Sequence, residues 1–386
     1  MNKFREQHTT LLDFELTEAD LRKFDGPELR KYFTPRPTAK GTTLTVRKVV
    51  GLLKLDNADL VIEPKVPVSG EMLLHWLHYA ANRDHPVLSQ RRGWDADGDY
   101  FPDMAVEALL DECRTLLRDQ LRKDYQPRQT VEAAVRGRLD LTRQATHRFG
   151  MLDRLHVRTF DRTVQIWENE VCGAALRHAA KTATTAKLRQ QARQLSTEFP
   201  LCTAEVARST LARSRHNRLN LRYRAAHAWA EVVLRAGGVS ELFLPRTLVG
   251  ESHLLVIEKV WERVVHRMVG SPATIEGVMV HRYGDRARPY RPDALAERLP
   301  VDAKWKDYDR RAVTREDVHQ LLTYAHAYQP HDPRAVIVHP STAPTAKRTI
   351  DVKHLGRRIA AIDVIGVDVS TRPEENSATL QGLLHR

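Results

Sequence analysis

The block RPDALAERLPVDAKWK, residues 291–306, constrains this chain more than any other stretch. Its apolar runs, Ala-Leu and Leu-Pro-Val, read as two short strands around a tight Glu297-Arg298 hairpin. Buried strands exclude charge, yet Asp293, Asp302 and Lys304 sit inside the same block. Either this is an ordinary sheet edge or the charges do chemistry. Side chains two apart on a strand share a face, so Asp302 and Lys304 project together.

The surroundings predict a defined order of elements. Residues 252–269, SHLLVIEKVWERVVHRMV, read as a helix, and 274–282, TIEGVMVHR, as a strand. The turn YGDRARP follows, then strands at 290–295 and 299–305. A helix over 314–328 opens on a Thr314 cap with acids in its first turn. An apolar strand, 334–340, closes the run. The order is helix, three strands, helix, strand.

Charged groups on adjacent strand ends can converge on one divalent metal. Asp293 and Asp302 offer hard oxygen ligands suited to Mg²⁺ or Mn²⁺, and the Ala303 carbonyl supplies another. Lys304 on the same face can orient a water and stabilise a pentavalent phosphate, so metal and lysine together suit phosphodiester hydrolysis. Glu258 on the preceding helix can extend the metal shell. Glu262, one turn on, faces much the same way. Glu258 is preferred because Leu254, Leu255 and Ile257 would seat its turn against the sheet. Gln320 and Tyr324 lie four apart on one face of the next helix, a pattern equally compatible with a polar face and a half-buried tyrosine.

The rest of the chain divides into two earlier parts. Residues 44–66 read as two strands around a turn at Asp56-Asn57, with VIEPK as a strand end whose Glu63 and Lys65 face solvent. Helices are expected over 71–83 and 103–123, and a short strand at VRGRLDL, 135–141. Residues 165–235 are alanine- and arginine-rich with helical spacing, broken near Pro200 and punctuated at the end by Gly237-Gly238 and Pro245. The expected segments are an α+β domain over 1–150, a helical basic region over 151–249 and an α/β domain over 250–386. The whole is a mixed α+β chain.

Net charge is +12. From Arg177 to Arg235 there are twelve basic residues against Glu198, Glu205 and Glu231 alone. Such a balance suits a polyanion, although arginine-rich composition alone can reflect genome base content. No apolar run is long enough for a membrane span, and MNKFREQHTTLLDFE lacks a signal-peptide core. Cys113, Cys172 and Cys202 are scattered and odd in number, so they read as reduced thiols in a cytoplasmic protein. No G-x-S-x-G, H-E-x-x-H or G-x-x-x-x-G-K-[ST] pattern occurs. His281, His319 and His326 read as surface or helix-face residues.

Pro292-Asp293 and Asp302-Ala303-Lys304, in that strand order behind a glutamate-bearing helix, resemble the core of PD-(D/E)XK nucleases. Gln320 and Tyr324 are similar to the Gln-x-x-x-Tyr element of several such nucleases. VVGLLKLDNADLVIEPKVP with MLLHWLHYA, and VRGRLDL with ENEVCGAAL, resemble the McrC family of McrBC modification-dependent restriction systems. That resemblance implies an endonuclease subunit acting on modified double-stranded DNA. It further implies docking through the N-terminal part onto an McrB-like AAA+ GTPase or ATPase, with no organic cofactor. The missing P-loop agrees with a motor on another polypeptide. Two other readings stay open: a stand-alone nuclease in repair or defence, and a non-catalytic DNA-binding scaffold.

Overall fold

The structure, a computed structural model, describes residues 2–27, 29–80, 101–234, 242, 253–278 and 289–385. The expected helix end at 81–83, Gly237-Gly238, Pro245, the strand residues 279–282 with His281, and residues 283–288 of the YGDRARP turn lie outside them.

In chain order the N-terminal elements are β1 (Asn2–Arg5), β2 (Thr9–Leu11), α1 (Glu18–Asp25), β3 (Phe33–Thr38), β4 (Gly41–Val46), β5 (Val49–Lys54), β6 (Asp59–Glu63) and α2 (Gly70–Ala80). Next come α3 (Phe101–Arg118), β7 (Asp124–Glu132), β8 (Arg138–Leu139), α4 (Leu141–His147) and β9 (Leu155–Thr163). Helices α5 (Trp167–Thr182), α6 (Ala186–Ser196), α7 (Ala204–Arg213) and α8 (Arg224–Leu234) follow. The C-terminal part holds β10 (His253–Val256), α9 (Ile257–Val269), β11 (Ala294–Ala296), β12 (Leu299–Ala303), α10 (Arg315–Tyr328), β13 (Arg334–Ser341), β14 (Ala346–His354), β15 (Arg357–Asp368) and α11 (Pro373–Leu384). The mixed α+β class expected from the sequence is the class observed.

The chain divides into two compact units, Met1–Ala105 with Gly238–Arg386, and Val106–Gly237. The first joins both ends of the chain. One of its sheets runs β1-β6-β5-β10. Strand β10 pairs antiparallel with β5, Leu254 opposite Gly51 and Leu255 opposite Val50. The expected helix over 252–269 is therefore a strand followed by a helix. LLV, residues 254–256, is apolar at three successive positions, a pattern a helix and a fully buried strand share. Burial at the sheet edge decides for the strand, since Leu254 and Leu255 are fully buried. Leu254 and Val256 join Phe4, Phe33, Leu44, Leu53 and Ile62 in one apolar core. Removing residues 1–150 would strip β10 of its sheet.

Helix α9 begins at Ile257 and buries Ile257, Val260, Trp261, Val264, Val265 and Met268, the stripe of an amphipathic helix. It ends at Gly270, whose φ of 69° is the left-handed conformation a glycine cap accepts without a Cβ clash. A five-stranded sheet of the same unit runs β11-β12-β13-β15-β14. Strands β12, β13 and β15 are parallel, and the edge strands β11 and β14 are antiparallel. Leu321 and Ala325 of α10 pack on Ala335 and Ile337 of β13 and on Ile362 and Val364 of β15. The expected strand over 274–282 is reduced, among the described residues, to a single bridge between Val278 and Tyr290.

The second unit holds a β7-β9-β8 sheet and a helical cluster. Its helices bury Val171, Cys172, Ala175, Leu176, Tyr223 and Trp229. Gly173 has no room for a side chain: a Cβ there would meet the Pro200 carbonyl oxygen at 2.6 Å. The β7–β9 segment instead exposes large apolar groups, among them Tyr125, Phe149, Leu152 and Phe160. Cys113, Cys172 and Cys202 are free thiols. No helix among the described residues is long and apolar enough to cross a membrane.

Candidate active site

The hairpin at Glu297-Arg298 sets the register of the site. It pairs Ala294 with Val301 and Ala296 with Leu299, with Glu297 at φ 54° in the turn. Asp293 therefore lies just ahead of β11, beside the end of β12. Its Oδ2 accepts the Ala303 N–H at 2.8 Å, tying the two strand ends together. Asp302 is 1% exposed, on a strand whose every residue is buried. Lys304 extends the ladder by one residue, its N–H donating to the Val338 carbonyl at 3.0 Å.

Lys304 Nζ lies 2.7 Å from Asp302 Oδ2 as an ion pair, and that oxygen takes no well-aligned hydrogen bond. The ammonium also donates to Gln320 Oε1 at 3.1 Å. Gln320 Nε2 in turn donates to Asp302 Oδ1 at 3.3 Å and to the Tyr324 hydroxyl at 3.1 Å. Tyr324 is 2% exposed and donates to the Arg291 carbonyl at 2.8 Å. The Gln320–Tyr324 spacing thus spans both sides of the site: one amide bridges acid and lysine, and the phenol anchors that amide to the backbone just before Asp293.

Electrostatics mark the same residues. Burial, then repulsion from Asp302, pushes the Asp293 carboxyl up to about 7. Burial also raises Asp302, against the pull of Lys304. Burial, the largest single influence, works to lower the Lys304 ammonium, but the attraction and hydrogen bond of Asp302, with Asp293 and Asp317, together hold it above its usual range. A buried carboxyl and a half-buried one that repel each other favour a cation or a shared proton.

The third carboxylate differs from the expectation. Glu258 points to the N-terminal strands, its Oε2 2.8 Å from Lys48 Nζ. Glu262 is the acid that shares a field with Asp293, Asp302 and Lys304. Its side chain stays open to solvent, while partial burial of the carboxyl and then Glu258 push its titration up. The reason is the helix start. Because residues 253–256 are strand, Glu258 falls in the first turn of α9, beside Lys48, and the next turn faces the strand ends.

Among the described residues no three acid, histidine or cysteine side chains are gathered closely enough to hold a metal by themselves. The donors at hand still fit a hard cation. The buried Asp302 Oδ2 lies 2.7 Å from the Lys304 ammonium without a well-aligned hydrogen bond, and Mg²⁺ keeps several waters and needs one or two carboxylates. His319 and His326 are exposed on α10 and take no part.

Sequence reasoning missed the neighbouring Asp317 cluster. Asp317 accepts two hydrogen bonds from Lys306 Nζ, at 2.7 and 3.0 Å, one from Thr314, and one from the Tyr308 hydroxyl. It locks the start of α10 to the chain leaving Lys304. Its signal was the acid in the first turn, read only as helix capping.

The chain is similar to one in the refined half-complex from the tetradecameric assembly of Thermococcus gammatolerans McrB AAA+ hexamers with bound McrC. Identity is 16%, coverage is 99% of each chain and the TM-score is 0.66. A second likeness, to the cryo-EM structure of the Thermococcus gammatolerans McrBC complex, has 17% identity, a TM-score of 0.47, and covers 72% of this chain and 89% of that one. No curated protein matches. The family described as McrBC 5-methylcytosine restriction system component matches residues 44–340, well over half of the sequence. The chain therefore belongs to the McrBC family of 5-methylcytosine restriction system components.

Proposed function

We propose that this restriction-system component is its metal-dependent DNA endonuclease, cutting modified duplex DNA when an AAA+ GTPase or ATPase partner activates it. The observation that carries this reading is the Asp293–Asp302–Lys304 constellation on two paired strand ends, bridged by Gln320. Asp293, Asp302, the Ala303 carbonyl and Glu262 would hold Mg²⁺ or Mn²⁺. A divalent cation there supplies Lewis-acid charge to the scissile phosphate. The protein's own groups do the rest. Lys304, aimed by Gln320, places a positive charge where negative charge develops on phosphorus, and orients the attacking water. Gln320 keeps acid and lysine aligned, and Tyr324 fixes Gln320 to the backbone at Arg291.

Partner docking falls on the second unit in this reading. Its β7–β9 segment exposes Tyr125, Phe149, Leu152 and Phe160, large apolar groups of the kind that mark a docking face where they gather. The McrB-like hexamer is the occupant proposed, on the strength of the family and of the exposed apolar groups. The net charge of +12 suits the DNA. The test compares modified and unmodified duplexes with and without partner and nucleoside triphosphate. Efficient cutting of both by the isolated chain would replace this reading with a stand-alone nuclease.

A further inference from the structure

We propose that Glu6, at the far end of the sequence from the acid pair, is a positioning residue that aims Lys304 by clamping the indole of Trp305. This rests on the nuclease reading above. Glu6 is fully buried, directly after β1. Its Oε2 accepts the Trp305 Nε1–H at 3.0 Å, across 299 residues of sequence. The same carboxylate accepts the backbone N–H groups of Lys48 at 3.2 Å and Lys65 at 3.4 Å. Lys65 Nζ lies 3.9 Å from Glu6 Oε1. The carboxylate is therefore fixed from β1, from the β4–β5 turn and from the chain just after β6.

The Trp305 end is equally constrained. The indole is 5% exposed and meets the Trp261 ring edge-on at 5.7 Å. Lys306 N–H donates to the Lys304 carbonyl at 2.9 Å, so Trp305 is the central residue of a three-residue turn. Holding its indole holds the backbone that carries Lys304. A buried carboxylate that spends its oxygens on one indole N–H, two amides and one ammonium is costly to maintain without a role. Burial raises the Glu6 carboxyl, and Lys65 opposes that rise.

The geometry also changes the reading of VIEPK. Lys65 was expected to face solvent, but its side chain is 13% exposed and paired with Glu6. Glu63 does remain exposed, with Lys3 3.4 Å away. Lys65 is the counter-charge that lets Glu6 stay buried beside the catalytic turn.

The experiment measures single-turnover cleavage by the full chain with its AAA+ partner, nucleoside triphosphate, Mg²⁺ and modified duplex. DNA affinity and Tm are measured in parallel. Trp305→Phe keeps a buried ring and removes only the N–H. Glu6→Gln keeps the volume and removes the charge. Each should slow cleavage about tenfold to 100-fold, because sub-ångström misplacement of a catalytic group is expensive in rate. DNA affinity should stay within about twofold. The double variant should be no slower than the slower single one, since both act through one contact. Wild-type rates in both variants would overturn the proposal. So would losses that merely follow a lowered Tm, or fully additive effects. If Glu6→Gln fails to fold, Trp305→Phe decides. A wild-type chain that never cuts would instead overturn the nuclease reading itself, whereas cutting by wild type and not by Asp302→Asn leaves that reading standing whatever the Glu6 result.

Discussion

Replacing Asp293 by asparagine should abolish cleavage and at the same time stabilise the metal-free protein above neutral pH. Burial and the nearby Asp302 raise the Asp293 carboxyl from 3.8 to about 7. The unfolded chain ionises near 3.8, so between the two values the folded state binds more protons. Stability then falls as pH rises. The full difference corresponds to a ceiling of about 4 kcal/mol at pH 8, against about 1.5 kcal/mol at pH 5. Asp293 and Asp302 share this penalty, so an effect on the order of 2–3 kcal/mol is expected at pH 8. Asparagine removes the charge, while its carbonyl oxygen can still accept the Ala303 N–H that now binds Asp293 at 2.8 Å. Without divalent metal, the Asp293→Asn protein should melt on the order of 5 °C above wild type at pH 8, and little above it at pH 5. Adding Mg²⁺ should raise the Tm of wild type at pH 8 and leave the variant unmoved. A variant that melts at or below wild type at pH 8, or that gains as much from Mg²⁺, would refute the reasoning.

Further outcomes follow from the same geometry. Lys304→Ala should slow cleavage by about 10²–10³-fold and leave DNA binding nearly intact, because its charge acts mainly on the transition state; equal losses of binding and cutting would make it a phosphate anchor. Glu262→Gln should cut at least about tenfold more slowly, whereas Glu258→Gln, which loses the Lys48 pair 2.8 Å away, should stay within a few-fold of wild type; the reverse ranking would restore Glu258 to the site. Tyr324→Phe, deprived of its hydrogen bond to the Arg291 carbonyl, should lose about 1 kcal/mol of stability and a few-fold in cleavage rate; an unchanged rate in the folded variant would confine the phenol to a packing role.

What the sequence disclosed was local. The Glu297-Arg298 hairpin, the Thr314 cap and Asp302 in a buried strand are each written within a few residues and stand where expected, whereas Asp293 and Lys304 flank the strands that were expected to contain them. Gln320 and Tyr324 were legible because helical spacing fixes their common face. The start of α9 was not, because Leu254, Leu255 and Val256 are apolar in succession and only the partner strand β5 settles their state. That single ambiguity moved the choice between Glu258 and Glu262, which differ by one helical turn. The Glu6–Trp305 contact was beyond reach for a different reason: it joins residues 299 apart through a carboxylate whose burial no local pattern announces. The same holds for Lys65, whose place at a strand end suggests solvent while the fold gives it a buried acid.

The central claim is that Asp293, Asp302 and Lys304 form the cutting site of a partner-activated nuclease. Its most direct test is the rate at which modified duplex DNA is cut by the complete mixture of chain, AAA+ partner, nucleoside triphosphate and Mg²⁺, with wild-type chain or with Asp302→Asn. The account predicts cleavage with wild type only, and none when partner or Mg²⁺ is withheld. Cleavage by Asp302→Asn at the wild-type rate would contradict it.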